Sequence, residues 1–553
     1  MRRVASGAGA GFGIALAAAA PAVAEDFTVT DLSDAGPGSL RSAIGEAESQ
    51  SGADRILFAS GLSGTIALES DLEVSDPVQI VGPGPAVIAV DGGGDSGIFA
   101  IGSAEQGADR IAVDISGLTL RNGGQVPYGG AILSLNTDLT VTESILSGNT
   151  AAVGGAIYAA YQGSLEVGES TFSRNISGSG GGIAASGIDV TIRSSTFSQN
   201  RGQAAGGAIA AGNSYDPLSL DIENSTFNRN AAGYLGGAIM SLPDDDTEST
   251  LAIRSSTLSG NQAAAFGGAI GGGFSSATID NSVIEGNFAI YGPDLYSGSF
   301  TGPGGPPGGP CGCYPQTDFL TGFSFIGDSA QAIITETVPG SNLLDQGDAL
   351  LGRLADNGGP TQTMALSAES PVVNKGASPL TTDQRGEKRP VLYPGIPNSS
   401  APGANGADMG AFELQYEEPP PPPPPPPKNG PFKILSSTPN PAKGTATVKV
   451  RVPAPGEVTL VGYKRLKTIS KRANAKGVYK FRATPKGKLK RNLDKRGRAR
   501  VLIKFHYNPD SGRTLDKGKV FPLFKDRNEP KATPLAVARK ARAWLGSNPW
   551  GSR

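Results

Sequence analysis

An all-β chain, most of it wound as a parallel β-helix, is predicted by three features of the 553-residue sequence. Gly-Gly-Ala-Ile recurs at 129–132, 154–157, 206–209, 236–239 and 267–270, with Gly181-Gly182-Ile183 in the gap. An asparagine keeps step with it, at Asn122, Asn149, Asn175, Asn200, Asn230, Asn261 and Asn287, and two phased marks mean one structural repeat. Between the marks, runs such as Leu139-Thr-Val-Thr-Glu-Ser144 and Val190-Thr-Ile-Arg-Ser-Ser195 alternate apolar and polar residues with period two, the pattern of a strand with one buried face. Helical repeats of similar length are excluded by that period, and by glycines that would each cost about 1 kcal/mol in a helix.

The elements follow in chain order. Arg2 and Arg3, a small apolar stretch and Ala22-Val23-Ala24 form a cleavable signal peptide over 1–24, so the chain is expected to be secreted and to mature near Glu25. Residues 25–416 form the β-helix. Near its start Ser39 can cap a short helix at 39–47 with Leu40, Ala43, Ile44 and Ala47 on one face, a lid for the open end of the core. Three positions before six of the asparagines stand Leu146, Phe172, Phe197, Phe227, Leu258 and Ile284, which should stack inward. The asparagines should form a ladder at a corner, where Asn tolerates a left-handed backbone and its amide can bond the next coil. Ten or so coils make a rod on the order of 50 Å long, with Arg174, Arg229 and the polar strand positions facing solvent.

Thr28-Val-Thr-Asp31, Gly36-Pro-Gly-Ser-Leu-Arg-Ser-Ala-Ile44, the Ser-Thr-Phe-Ser-x-Asn coils, Asn357-Gly-Gly-Pro-Thr-Gln-Thr-Met-Ala-Leu366, Asp383-Gln-Arg-Gly386 and Gly406-Ala-Asp-Met-Gly-Ala-Phe-Glu413 occur in that order. Together they resemble the bacterial choice-of-anchor Q and right-handed parallel β-helix repeat proteins, over about 27–413. The resemblance implies a right-handed helix and export. It transfers no catalytic residue.

Residues 417–430 are a linker whose nine consecutive prolines make a stiff spacer of roughly 28 Å. Beyond it, runs at 444–452, 457–461, 478–481 and 498–505 read as strands of a small β-sandwich over 431–528, followed by a flexible or short helical tail, 529–553. This part resembles the lysine-rich, immunoglobulin-like tail domains of exported actinobacterial proteins.

Charge separates the two parts. Residues 428–553 hold 32 Lys and Arg against 6 Asp and Glu, and residues 1–427 hold 16 against 44. A balance of +26 after one of −28 is expected to attract a polyanion by counterion release. Residues 486–500 carry the densest run: Lys486, Lys488, Lys490, Arg491, Lys495, Arg496, Arg498 and Arg500. After export the fitting partners are anionic cell-wall polymer or acidic polysaccharide, which would retain the chain at the cell surface. No motif reads a nucleic-acid sequence, no later segment is apolar enough to span a membrane, and the chain is expected to be monomeric.

Chemistry is sparsely signalled. With 2 Cys and 1 His in the whole chain, disulfide scaffolds and histidine-dependent metal enzymes are excluded, and Cys311-Gly312-Cys313 reads as a local loop clamp. Asn136-Thr137-Asp138 matches one piece of the polygalacturonase pattern without its partners. Asp244, Asp245 and Asp246 are the candidate ligands for a calcium ion (Ca2+), and Arg193 and Arg254 share a strand register, though these arginines suit pairing with Glu143, Glu169 and Glu223 as well. No other cofactor is implied. The sequence therefore favours a non-catalytic surface protein that displays an acidic rod and binds polyanion through its basic domain. The alternative is a polysaccharide lyase or hydrolase acting on acidic glycans in a β-helix groove.

Overall fold

Parallel pairing runs almost unbroken from Asp26 to Leu344 in a computed structural model that describes residues 24–50, 52–105, 109–212, 217–242, 248–298, 316–416 and 431–526. The signal peptide but for its last residue, Asp244–Asp246, Cys311 and Cys313, the polyproline linker and the tail from 527 lie outside the described residues. The chain divides into two compact units, Met1–Glu418 and Pro419–Arg553.

In the first unit the coils between Val126 and Ala263 have four sides. On the first, Ile132, Ile157, Ile183, Ile209, Ile239 and Ile270 pair in register. On the second stand Leu139, Leu165, Val190, Leu220, Leu251 and Ala277. The third, an 11-stranded parallel sheet, carries Leu146, Phe172, Phe197, Phe227, Leu258 and Ile284, all with no exposed surface. The rings of Phe172, Phe197 and Phe227 stack at 4.6 and 4.8 Å. A short six-stranded sheet makes the fourth side. Alternation buries one set of side chains per strand in a single continuous core.

Backbone crowding explains the Gly-Gly pairs. Gly154 sits at φ +67°, and a Cβ on Gly155 would collide with the carbonyl oxygen of Gly181 in the next coil.

The corners differ in kind. Between the second and third sides the interval is seven positions in every coil from Leu139–Leu146 to Ala277–Ile284. Between the first and second it is seven from Ile183 to Val190, but eleven from Ile209 to Leu220 and twelve from Ile239 to Leu251. All the length variation of these coils that exceeds one residue is confined there.

Helix α1, Leu40–Glu48, lids the N-terminal end. Ser39 Oγ accepts the Ser42 amide at 3.1 Å, satisfying an amide that the helix itself cannot, and Leu40, Ala43, Ile44 and Ala47 face the core.

The C-terminal part of the unit departs from a uniform β-helix over 25–416. The last rung is Leu343–Leu344, paired with Phe325–Ile326. The chain then runs back as a strap outside the third side. Thr196 Oγ1 donates to the Gln362 carbonyl at 2.6 Å, Asn224 Nδ2 to that of Thr382 at 3.0 Å, and the Ala411 amide to Thr257 Oγ1 at 2.9 Å. Strands Thr196–Ser198, Thr226–Asn228 and Thr257–Ser259 are consequently buried on both faces, whereas Ile145–Ser147 and Thr171–Ser173 bury only the inward one. The expectation that outward positions meet solvent fails on these rungs.

The strap is held by polar groups that have no periodicity. Gln384 Nε2 reaches Thr196 Oγ1 and Thr361 Oγ1, each at 2.9 Å, while its Oε1 accepts from Thr226 Oγ1. Arg389, buried, donates to Glu413 at 2.9 Å, Asn224 at 3.2 Å and the Gly410 carbonyl at 2.8 Å. Asp383 pairs with Arg385, whose guanidinium lies 3.7 Å over the Phe412 ring. A second apolar core, including Val283, Phe325, Val372, Met409 and Phe412, fills the space beneath.

The second unit is a sandwich of antiparallel sheets. One has three strands, Lys433–Asn440, Thr445–Val452 and Gly477–Ala483; the other has four, Gly456–Val461, Ile469–Ala473, Arg498–Pro509 and Leu515–Phe524. Val448, Val450, Val458, Phe481, Ile503 and Phe505 share their core. Helix α2, Gly487–Arg496, is an element the strand pattern did not announce; Leu489 and Leu493, one turn apart, are its buried face.

Candidate functional site

The asparagines occupy a structural site. Asn149, Asn175, Asn200, Asn230, Asn261 and Asn287 are buried, and each Nδ2 from Asn149 to Asn261 donates to the next asparagine's Oδ1 at 2.9–3.0 Å. Each also donates back to a carbonyl in the preceding coil, as Asn200 does to Phe172 at 2.9 Å. Asn287 closes the ladder on Asp294 at 2.8 Å. Burial pushes the Asp294 carboxyl up to about 6, against hydrogen bonds that favour its ionised form.

Asn122 stands outside this ladder, a correction to its expected place. It is exposed, at φ +54°, and bonds Asp91 at 3.1 Å; the Gly123 amide takes the first rung, donating to Asn149 Oδ1 at 2.8 Å. The left-handed position belongs to the residue before each ladder asparagine: Gly148, Arg174, Gln199, Arg229, Gly260 and Gly286, at φ +55° to +71°. The interval of 27 after Asn122, one more than the next, is the sequence trace of this shift.

The serines that close the period-two runs form a second ladder, which the alternation itself does not reveal. Ser144, Ser170, Ser195, Ser225, Ser256 and Ser282 line the corner between the second and third sides. The amide of Ser144 donates to Ser170 Oγ at 3.2 Å, and that of Ser170 to Ser195 Oγ at the same distance. Of the partners expected for the strand arginines only Glu223 is found, 3.6 Å from Arg254; Arg254 pairs more closely with Asp221 at 2.6 Å, and Arg193 pairs with Glu166 at 2.7 Å. Asn136 bonds the Ser103 carbonyl, and Asp138 pairs with Arg110 and Ser164, so the tripeptide serves the coil. Among the described residues no three His, Cys, Asp or Glu side chains group as metal ligands, and no helix is long and apolar enough to cross a membrane.

The basic unit presents the strongest electrostatic surface. Lys488, Lys490, Arg491, Lys495 and Arg496 lie on α2, Lys486 is its N-cap, and Arg498 and Arg500 begin the next strand; all eight are exposed. This run is not free of acid. Asp494 pairs with Lys490 at 2.8 Å and with Lys525, and hydrogen bonds from both ammonium groups hold its carboxyl below the ordinary value.

The three-stranded sheet differs. Its strands contain no acidic residue, and alternation turns Lys433, Lys449, Arg451, Lys480 and Arg482 outward. Lys449 stands directly opposite Lys480, and Lys433 opposite Arg451. None of the five has an ion-pair partner among the described residues. On the four-stranded sheet, by contrast, Asp510 pairs with Arg472 and Asp516 with His506. Like charges directly opposed across an antiparallel pair destabilise the sheet, so an anion laid over this face relieves a cost already present. Counting contiguous charge drew attention to 486–500; the signal for the face was the alternation in Val448-Lys-Val-Arg-Val452 and Tyr479-Lys-Phe-Arg-Ala483.

Comparison with known families agrees with the solenoid. Residues 129–302 match the family described as right handed beta helix region, so the match and the parallel coils together support a right-handed β-helix repeat protein. No curated protein matches the chain.

Proposed function

We propose that this is an exported, non-catalytic β-helix protein that displays an acidic unit and is retained on anionic cell-wall polymer or acidic polysaccharide by its basic sandwich. The observation that carries the reading is the acid-free cationic face of Lys433, Lys449, Arg451, Lys480 and Arg482. Residues along a strand on one face lie about 7 Å apart and opposed residues about 5 Å, so the face meets a chain of negative charges at several points at once. Each neutralised charge releases counterions, which makes attachment strong and steeply salt-dependent.

The test is elution of the full chain from polygalacturonate-coated beads by salt. K449Q/R451Q/K480Q/R482Q should elute at lower salt, with a log–log slope smaller by about one per cation removed. K488Q/R491Q/K495Q/R496Q on α2 should shift elution less. Elution of the first variant with the unmodified chain would end the proposal. N-terminal sequencing of secreted protein should find Glu25 first. Release of unsaturated products or reducing ends from uronate polysaccharides, with or without calcium, would instead establish the lyase or hydrolase.

A further inference from the structure

We propose that the β-helix unit carries a second site, a binding cleft for a short carboxylated oligosaccharide, where the strap passes the third side. The site is independent of the basic sandwich and lies in the acidic part of the chain.

The cleft measures about 510 Å³, within the range of small-ligand sites. Its wall on the β-helix is the corner row at which Arg174, Gln199 and Arg229 occupy consecutive coils; the strap contributes Arg353. No acidic residue lines it, although residues 1–427 hold 44 acids against 16 bases. Arg174, Arg229 and Arg353 are exposed and have no acidic partner among the described residues, while Arg193 and Arg254 on the second side are paired. Among the described residues four arginines of the unit lack an ion-pair partner, and three of them line the cleft; the fourth, Arg201, lies on the six-stranded side.

Backbone conformation strengthens the case. The row needs φ near +60°, which costs an L-residue about 1 kcal/mol and which glycine fills elsewhere in the row, at Gly148, Gly260 and Gly286. The serine corner has the same conformation at Glu143, Glu169, Ser194, Asn224, Ser255 and Asn281, so it belongs to the coil corners in general; its consequence at Arg174, Gln199 and Arg229 is to set three long polar side chains in one row on adjacent rungs beside the cleft. Arg174 Nε donates to Gln199 Oε1 at 3.2 Å, which steers the chain of donors along the row.

The lining selects the ligand. Arginine forks match carboxylates in a bidentate geometry. Ser173, Ser198, Asn228 and Ser259 offer donors and acceptors at the depth where sugar hydroxyls would lie, and Leu354 and Met364 offer apolar surface for a ring face. Arg174 and Arg229 are two rungs apart, about 10 Å at the inter-strand spacing, which suits carboxylates on alternate sugars of an extended chain.

The test is arginine-directed labelling of the full chain with phenylglyoxal, read by peptide mass spectrometry. Trigalacturonate should slow labelling of Arg174, Arg229 and Arg353, and neutral maltotriose should not. Arg229→Gln should weaken trigalacturonate binding about tenfold or more by calorimetry, since a charge-assisted hydrogen bond is lost. Gln199 already fits this backbone, so the variant should fold, and Arg353→Gln repeats the test from the strap. Unchanged labelling of the three arginines overturns the proposal. Protection confined to the basic unit's arginines also overturns it, leaving the sandwich reading intact. Equal protection by inorganic sulfate shows a simple anion site and refutes the saccharide.

Discussion

Replacing Asn200 by alanine tests whether the buried ladder bears load. Its Oδ1 accepts from the Asn175 amide at 3.1 Å and from Asn175 Nδ2 at 2.9 Å; its Nδ2 donates to the Phe172 carbonyl and to Asn230 Oδ1, each at 2.9 Å. Truncation leaves the Asn175 amide and one Asn175 Nδ2 hydrogen without partners and takes one donor from the Phe172 carbonyl, which stays in the parallel ladder, while Asn230 Oδ1 keeps the backbone amide of residue 200. At roughly 1–3 kcal/mol for each of the two buried orphans, the loss should be on the order of 2–6 kcal/mol. The matched control is Asn122→Gly, at an exposed left-handed position that glycine fills without strain, with an expected change within about 0.5 kcal/mol. Solenoids need not unfold in one step, so hydrogen exchange resolved at the Asn175 amide is the primary assay and the denaturant midpoint the secondary one. Exchange at that amide should accelerate strongly in Asn200→Ala and stay unchanged in Asn122→Gly. Equal midpoints and unchanged exchange at Asn175 would refute the reasoning.

Phe197→Ala, which empties a rung between two stacked rings, should cost about 3–5 kcal/mol in chemical denaturation. Arg389→Met strands the buried Glu413 carboxylate and should lower stability by about 3–5 kcal/mol and expose 345–416 to limited proteolysis; adding Glu413→Gln should restore much of both. Burial raises Asp294 from 3.8 to about 6 and Glu285 from 4.5 to about 7, so the folded chain holds these protons more tightly than the unfolded one. The contribution of these two groups to stability should therefore be fully present below their unfolded values and be lost as pH rises from about 4 to about 7, by about 3 kcal/mol per group. Urea midpoints of the intact chain and of Asp294→Asn across that range should converge at low pH and separate at high pH, with the variant more stable.

What could be read in advance followed periodicity. Strands, their buried faces and the stacking of Leu146 through Ile284 come from period two inside a repeat of about 25, because every rung poses the same packing problem. The strap posed a different one. Gln384, Arg389 and Glu413 each make contacts that do not recur from rung to rung, so no spacing announces them, although the resemblance had marked the segments that hold Gln384 and Glu413. Helix α2 was hidden for a related reason: only Leu489 and Leu493 show its face among the cationic residues of 486–500, which read first as charge. The arginine cleft unites Arg174 and Arg229 with Arg353, more than a hundred positions away, a proximity created by the strap's return.

Confining length variation to one corner also makes that corner a modular port. The serine and asparagine corners cannot change length without shifting a ladder, but the corner between the first and second sides already takes seven, eleven or twelve positions while Leu220 and Leu251 stay in register. A foreign peptide grafted between Ile209 and Leu220 would be presented beside an unaltered neighbour, at a closure cost that grows by only about 0.6 kcal/mol per doubling of loop length. The coils thus supply a fixed pitch on which the density of grafted ligands, rung by rung, becomes a design variable.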